Sequence, residues 1–93
     1  PLAKYKKPLL NLRPKDSGKI WYLTKNNYFI NQRIADFERE LGLPGLTKAR
    51  IAELKQKIKS LTDSLNENNS LIRDIKVTAY QEQLQSAKLN ELV

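Results

Sequence analysis

The sequence predicts an all-α fold: a helical hairpin with a long, coiled-coil-like C-terminal helix, preceded by a basic extended arm or short β-hairpin. Three observations predict it. Beyond residue 30 the apolar residues recur at spacings of three and four, the period of a helix face. The connection "GLPGL" at residues 42–46 interrupts that pattern once. After it, neither Gly nor Pro occurs to the end of the chain. The alternative is a compact three-helix bundle, with helices over 27–41, 48–65 and 70–92.

The arm covers residues 1–26, "PLAKYKKPLLNLRPKDSGKIWYLTKN". Prolines at 1, 8 and 14 are expected to exclude a helix before residue 15. "KDSG" is a turn signal, and the apolar runs "LLNL" and "IWYL" on either side of it can pair as a hairpin, with Pro14 confining the first strand to an edge. A lone hairpin is marginal in water, so the extended form is an equal expectation.

The helical module covers residues 27–93. Asn26 or Asn27 is the expected cap of the first helix. Ile30, Ile34, Phe37 and Leu41 form its stripe, with Arg33, Asp36, Glu38 and Arg39 off it. Gly42, in a left-handed conformation, is expected to end it, and Pro44 prevents resumption. Thr47 caps the second helix, with Leu46 and Ile51 as a hydrophobic staple. Arg50 stands where a capping box would have Glu.

Ile51, Leu54, Ile58, Leu61, Leu65, Asn68, Ile72 and Ile75 then follow a heptad series, which Ala79 continues. Asn68 is its polar interruption, suited to fixing register or oligomer state. If "NENNS" at 66–70 stays helical, the helix is about 70 Å long at ~1.5 Å per residue. Three Asn and a Ser favour a break there, giving the three-helix bundle. The unbroken heptad phase favours continuity. A helix of that length needs a second long helix, from another copy or from a partner, to cover its seam. Beyond Ala79 the series fails at Glu82 and Ser86, and the apolar set shifts to Val77, Tyr80, Leu84 and Ala87.

Charge adds a second theme. The 93 residues carry a formal charge of +7. Residues 1–26 hold seven basic residues against Asp16 alone. This surplus favours a polyanionic partner such as nucleic acid. Lys4, Lys6, Lys7, Arg13, Lys15 and Lys19 are the expected phosphate contacts, with Trp21 available to stack on bases. A second basic face surrounds Lys48, Lys55 and Lys59 within "KARIAELKQKIK". Its apolar stripe is narrow and lacks aromatics, which points to a coiled-coil seam more than to a membrane surface.

Enzymatic chemistry has little to stand on. With no His and no Cys, the commonest general base, the thiolate nucleophile and the soft metal ligands are missing. The three glycines form no phosphate loop. No catalytic, cofactor or metal residues are therefore assigned. The absence of Cys fits an intracellular setting, and no apolar run approaches a membrane span or signal peptide. The first residue, Pro1, fits a piece of a longer protein or a processed one.

The expected function is a non-enzymatic assembly module that associates with itself or another long helix through the seam, and docks its arm on a partner. The alternative is a nucleic-acid-binding protein whose helices dimerise and whose arm contacts phosphates.

Overall fold

Pro14 opens the first helix rather than delaying it. In the structure, a computed structural model that describes residues 12–91, helix α1 runs Pro14–Leu41 and helix α2 runs Lys48–Glu91. Pro14 occupies the first helical turn, where its missing N–H costs nothing and its fixed φ is already helical. Arg13, extended at φ −63° and ψ 150°, is the N-cap residue, and its carbonyl accepts the Ser17 amide at 2.9 Å. Asp16 places a negative charge against the positive end of the helix.

This corrects the expectation for the second half of the arm. "KDSG" is the first turn of α1, and "IWYL" is helical, not a strand. The reason is tertiary. Ile20 and Leu23 become half-buried in the interface with α2. Half-burying such a side chain contributes about 1 kcal/mol, so the two together outweigh the ~1 kcal/mol that Gly18 costs a helix interior. Residues 1–11, which include Lys4, Lys6 and Lys7, lie outside the described residues.

The turn follows the expected sequence logic with one change. Gly42 ends α1 but stays right-handed, at φ −80° and ψ −7°. Its amide donates to the Arg39 carbonyl at 3.1 Å, and the Leu43 amide to the Glu40 carbonyl at 3.0 Å. These bonds tighten the last turn and satisfy carbonyls that a helix end leaves open. The left-handed residue is Gly45, at φ +79°. There a side chain would be strained, so glycine is required at Gly45 rather than at Gly42. Thr47 caps α2 as expected: its Oγ1 accepts the Arg50 amide at 3.1 Å.

Helix α2 passes through residues 66–70 without a break, so the three-helix bundle is not the structure. Its 44 residues extend about 66 Å at ~1.5 Å each. Helix α1 lies antiparallel along it, from Glu40 beside Arg50 to Arg13 beside Glu82. The early start at Pro14 gives α1 the length to follow the seam of α2 as far as Ala79. The seam thus meets a helix of its own chain over a greater length than a first helix beginning at residue 27 would have covered. The molecule is a rod measuring 71 × 29 × 17 Å. Two helices cannot enclose a core, and among the described residues the buried apolar side chains are Ile30, Leu54 and Ala79. The other apolar seam positions of α2 are half-exposed.

Candidate interaction surfaces

The seam supplies the frame for both surfaces. On α1 it comprises Asp16, Ile20, Leu23, Asn27, Ile30, Ile34, Phe37 and Leu41, spaced alternately by four and three. Each helix therefore carries one Asn in its apolar series, and the two meet. Asn68 Nδ2 donates to Asn27 Oδ1 at 2.9 Å, and Asn27 Nδ2 donates to Asn69 Oδ1 at 3.0 Å. Asn27 is thus a mid-helix seam residue, not a cap. These bonds explain the continuity of α2. Asn side chains break helices by competing for nearby backbone groups, and here the cross-helix amides occupy them instead. A one-heptad slip would leave each Asn facing an apolar residue, so the layer sets the register of the hairpin.

Lettering the heptads with Leu54 and Leu61 at d in α2, and Ile30 and Phe37 at d in α1, divides the remaining surface into two flanks. The first flank holds the g and c positions. At the turn end its charges pair with one another. Arg50 Nη2 donates to Glu40 Oε1 at 2.9 Å, and Arg50 Nη1 lies 3.2 Å from Glu53. Lys57 pairs with Glu53 at 3.1 Å and stands 5.6 Å from the centre of the Phe37 ring. Hydrogen bonding from Arg50 holds the Glu40 carboxyl below its ordinary pKa, and Glu40 in turn raises that of Arg50. Lys57, then Arg50, lowers that of Glu53.

Further along, the same flank turns apolar. Gly18, Lys19, Tyr22 and Leu23 of α1 and Leu71, Asp74 and Ile75 of α2 line a groove of about 470 Å3. Gly18 leaves this groove open, since a Cβ there would meet nothing within 4 Å. Tyr22 is 64% exposed and Phe29, one heptad on, is 54% exposed.

The second flank holds the e and b positions. On α2 these include Lys48, Lys55, Lys59, Arg73 and Lys76 and no acidic residue. All five cations are exposed, and none is in an ion pair among the described residues. On the α1 side lie Trp21, 63% exposed, and Tyr28, 60% exposed. Lys25 Nζ stands 4.8 Å from the centre of the Trp21 ring.

The expected phosphate contacts among the described residues, Arg13, Lys15, Lys19 and Trp21, do not gather into one patch. Arg13 is engaged by Asp16 at 3.4 Å and Glu82 at 3.2 Å. Lys19 borders the groove, on the opposite flank from Trp21. Lys15 is exposed on the first turn of α1. Of the described members of that set, Trp21 alone lies on the uniformly basic flank. Arg73 and Lys76 were not recognised in the sequence, although their heptad letters match those of Lys59 and Lys55. Among the described residues no helix is long and apolar enough to cross a membrane. No family model matches the chain, and no similar curated protein or solved structure is found.

Proposed function

We propose that the chain is a non-enzymatic interaction module whose hairpin completes its core by pairing with a second copy of itself across the groove flank. The observation that carries this reading is the thinness of the core. Helices of 28 and 44 residues bury Ile30, Leu54 and Ala79, while Tyr22, Phe29 and Leu71 stay exposed along one flank. A small chain with so little enclosed apolar surface gains most from an added layer. Charge selects the flank. The groove side mixes Lys19 and Arg33 with Asp36, Glu67 and Asp74, so two copies related by a twofold axis meet without net repulsion. The other side would set five lysines and arginines against their own copies.

Light scattering tests this. The expected mass is about twice the 10.8 kDa of one chain and falls with dilution. Phe29→Glu and Leu71→Asp are expected to give a monomer that stays helical. A concentration-independent monomer of the unmodified chain overturns the proposal.

A further inference from the structure

We infer that the e/b flank of the hairpin is a binding track for single-stranded nucleic acid: the cations of α2 hold the phosphates, and Trp21 and Tyr28 of α1 stack on unpaired bases. This goes beyond the self-pairing proposed above and uses the opposite side of the seam.

The charge arrangement comes first. Lys48, Lys55, Lys59, Arg73 and Lys76 follow one side of a straight helix for about 42 Å at ~1.5 Å per residue. A soluble surface ordinarily interleaves acids among its cations, as the groove flank does. Here the intervening residues are Ala52, Thr62, Asn66 and Asn69, none acidic. None of the five cations has an ion-pair partner among the described residues, so contact with phosphate displaces water and counterions. On the α1 side Glu38 is the one acid, near the turn.

The chemistry also discriminates among polyanions. Lipid binding by an amphipathic helix needs apolar residues flanked by cations and free to insert. The apolar seam of α2 is covered by α1, and the residues between these cations are small or polar. Trp21 and Tyr28, by contrast, offer rings that are 63% and 60% exposed on the α1 side of the same flank. Stacking on such rings requires bases that are not already stacked in a duplex. The Lys25 ammonium over Trp21 adds a cation beside the ring.

The test is fluorescence anisotropy of the full chain with a labelled oligothymidine at several salt concentrations. A single strand releases counterions with a slope of about −0.7 per neutralised phosphate, so five cations imply a slope near −3.5 in log K against log salt. Neutralising Lys55, Lys59, Arg73 and Lys76 to Gln is expected to weaken binding at least tenfold and flatten that slope. Neutralising Lys19 and Arg33, on the groove flank, is expected to change it no more than about threefold. Trp21 emission should quench on binding, and Trp21→Phe should retain most affinity where Trp21→Ala loses it. Circular dichroism on each variant establishes that the helices persist. Equal losses from charge removal on either flank overturn the inference in favour of a net-charge effect. Tighter binding to phosphatidylserine vesicles than to oligothymidine overturns it in favour of a lipid surface. Equal binding of duplex with no Trp21 quench overturns the single-stranded assignment. Self-pairing is read separately by light scattering, and Phe29→Glu should leave oligothymidine binding in place.

Discussion

On one flank of the seam Glu40 and Glu53 hold Arg50, and Glu53 also holds Lys57. On the other flank Lys48, Lys55, Lys59, Arg73 and Lys76 have no acidic partner among the described residues. The two flanks belong to the same pair of helices and differ by about half a turn around each. Paired charges satisfy one another and close a hairpin; unpaired cations remain available to something outside the chain. The difference shows that the positive charge of the described residues is not spread evenly over the rod. Among the described residues, the e and b positions of α2 hold five cations and no acid.

The comparison exists only while the seam does, so the largest expected effect is a change that removes it. Leu54 is 0% exposed, the only side chain among the described residues so fully enclosed. Leu54→Ala is expected to cost about 2–5 kcal/mol, the range for deleting a buried leucine side chain. That is a large share of the stability of a domain this small. Thermal melting followed by circular dichroism should show a strongly lowered midpoint. A midpoint close to that of the unmodified chain would mean that α1 does not pack on α2 at this position.

The next effect concerns how the flanks are kept apart. Asn68→Leu leaves Asn27 without its donor, and the expected cost is about 1 kcal/mol, towards the low end because the pair is only partly buried. The double variant Asn27→Leu with Asn68→Leu should recover that loss, since an apolar pair in the seam is favourable. Its register should be less uniquely held. A double-mutant cycle on thermal stability, giving a coupling of about 0.5 kcal/mol or more, checks the contact. Additive losses would show that the two amides do not interact.

Acid sharpens the contrast between paired and unpaired charge. Hydrogen bonding from Arg50 holds the Glu40 carboxyl below its ordinary pKa. A carboxylate depressed in the folded state stabilises it above the ordinary carboxylate range and loses that contribution as pH falls through the range. The turn end is therefore expected to weaken on acidification, and Glu40→Gln should show a smaller drop in melting temperature between pH 7 and pH 3. Equal drops in both chains would place the acid sensitivity elsewhere.

The smallest effects fall at two glycines. Gly18→Ala meets open space and should stabilise α1 by about 0.5–1 kcal/mol. Gly45, at φ +79°, should lose about 1 kcal/mol when replaced by Ala. If Gly18→Ala raises thermal stability while lowering the apparent mass in solution, the groove is a place of close approach between copies.

Much of the architecture was legible in the sequence. Thr47, Pro44 and the staple formed by Leu46 and Ile51 encode their turn chemistry within a few residues, and the heptad series from residue 51 to 79 is a strict periodicity. The start of α1 was not legible, because Pro14 and "KDSG" carry opposite meanings in isolation. Pro both forbids a helix behind it and favours one ahead of it. The turn signal was a local preference, overruled by burying Ile20 and Leu23. The same misreading hid the α1 half of the Asn layer, since Asn27 was assigned as a cap. Part of the basic flank was legible, at Lys48, Lys55 and Lys59. Arg73 and Lys76 escaped notice because the expectation centred on the arm, where charge is dense along the chain rather than around a helix.

By itself the sequence determined that the chain is helical, where it turns, and which face of the second helix is apolar, because period, caps and breakers act over a few residues. Only the tertiary structure decided what covers that face. Antiparallel packing brings Asn27 to Asn68 and Arg13 to Glu82, partners 41 and 69 residues apart, and no local preference encodes such pairs. The same packing decided which charges are satisfied and which remain open, because an ion pair depends on distance in space, and distance in space follows from the register of the two helices.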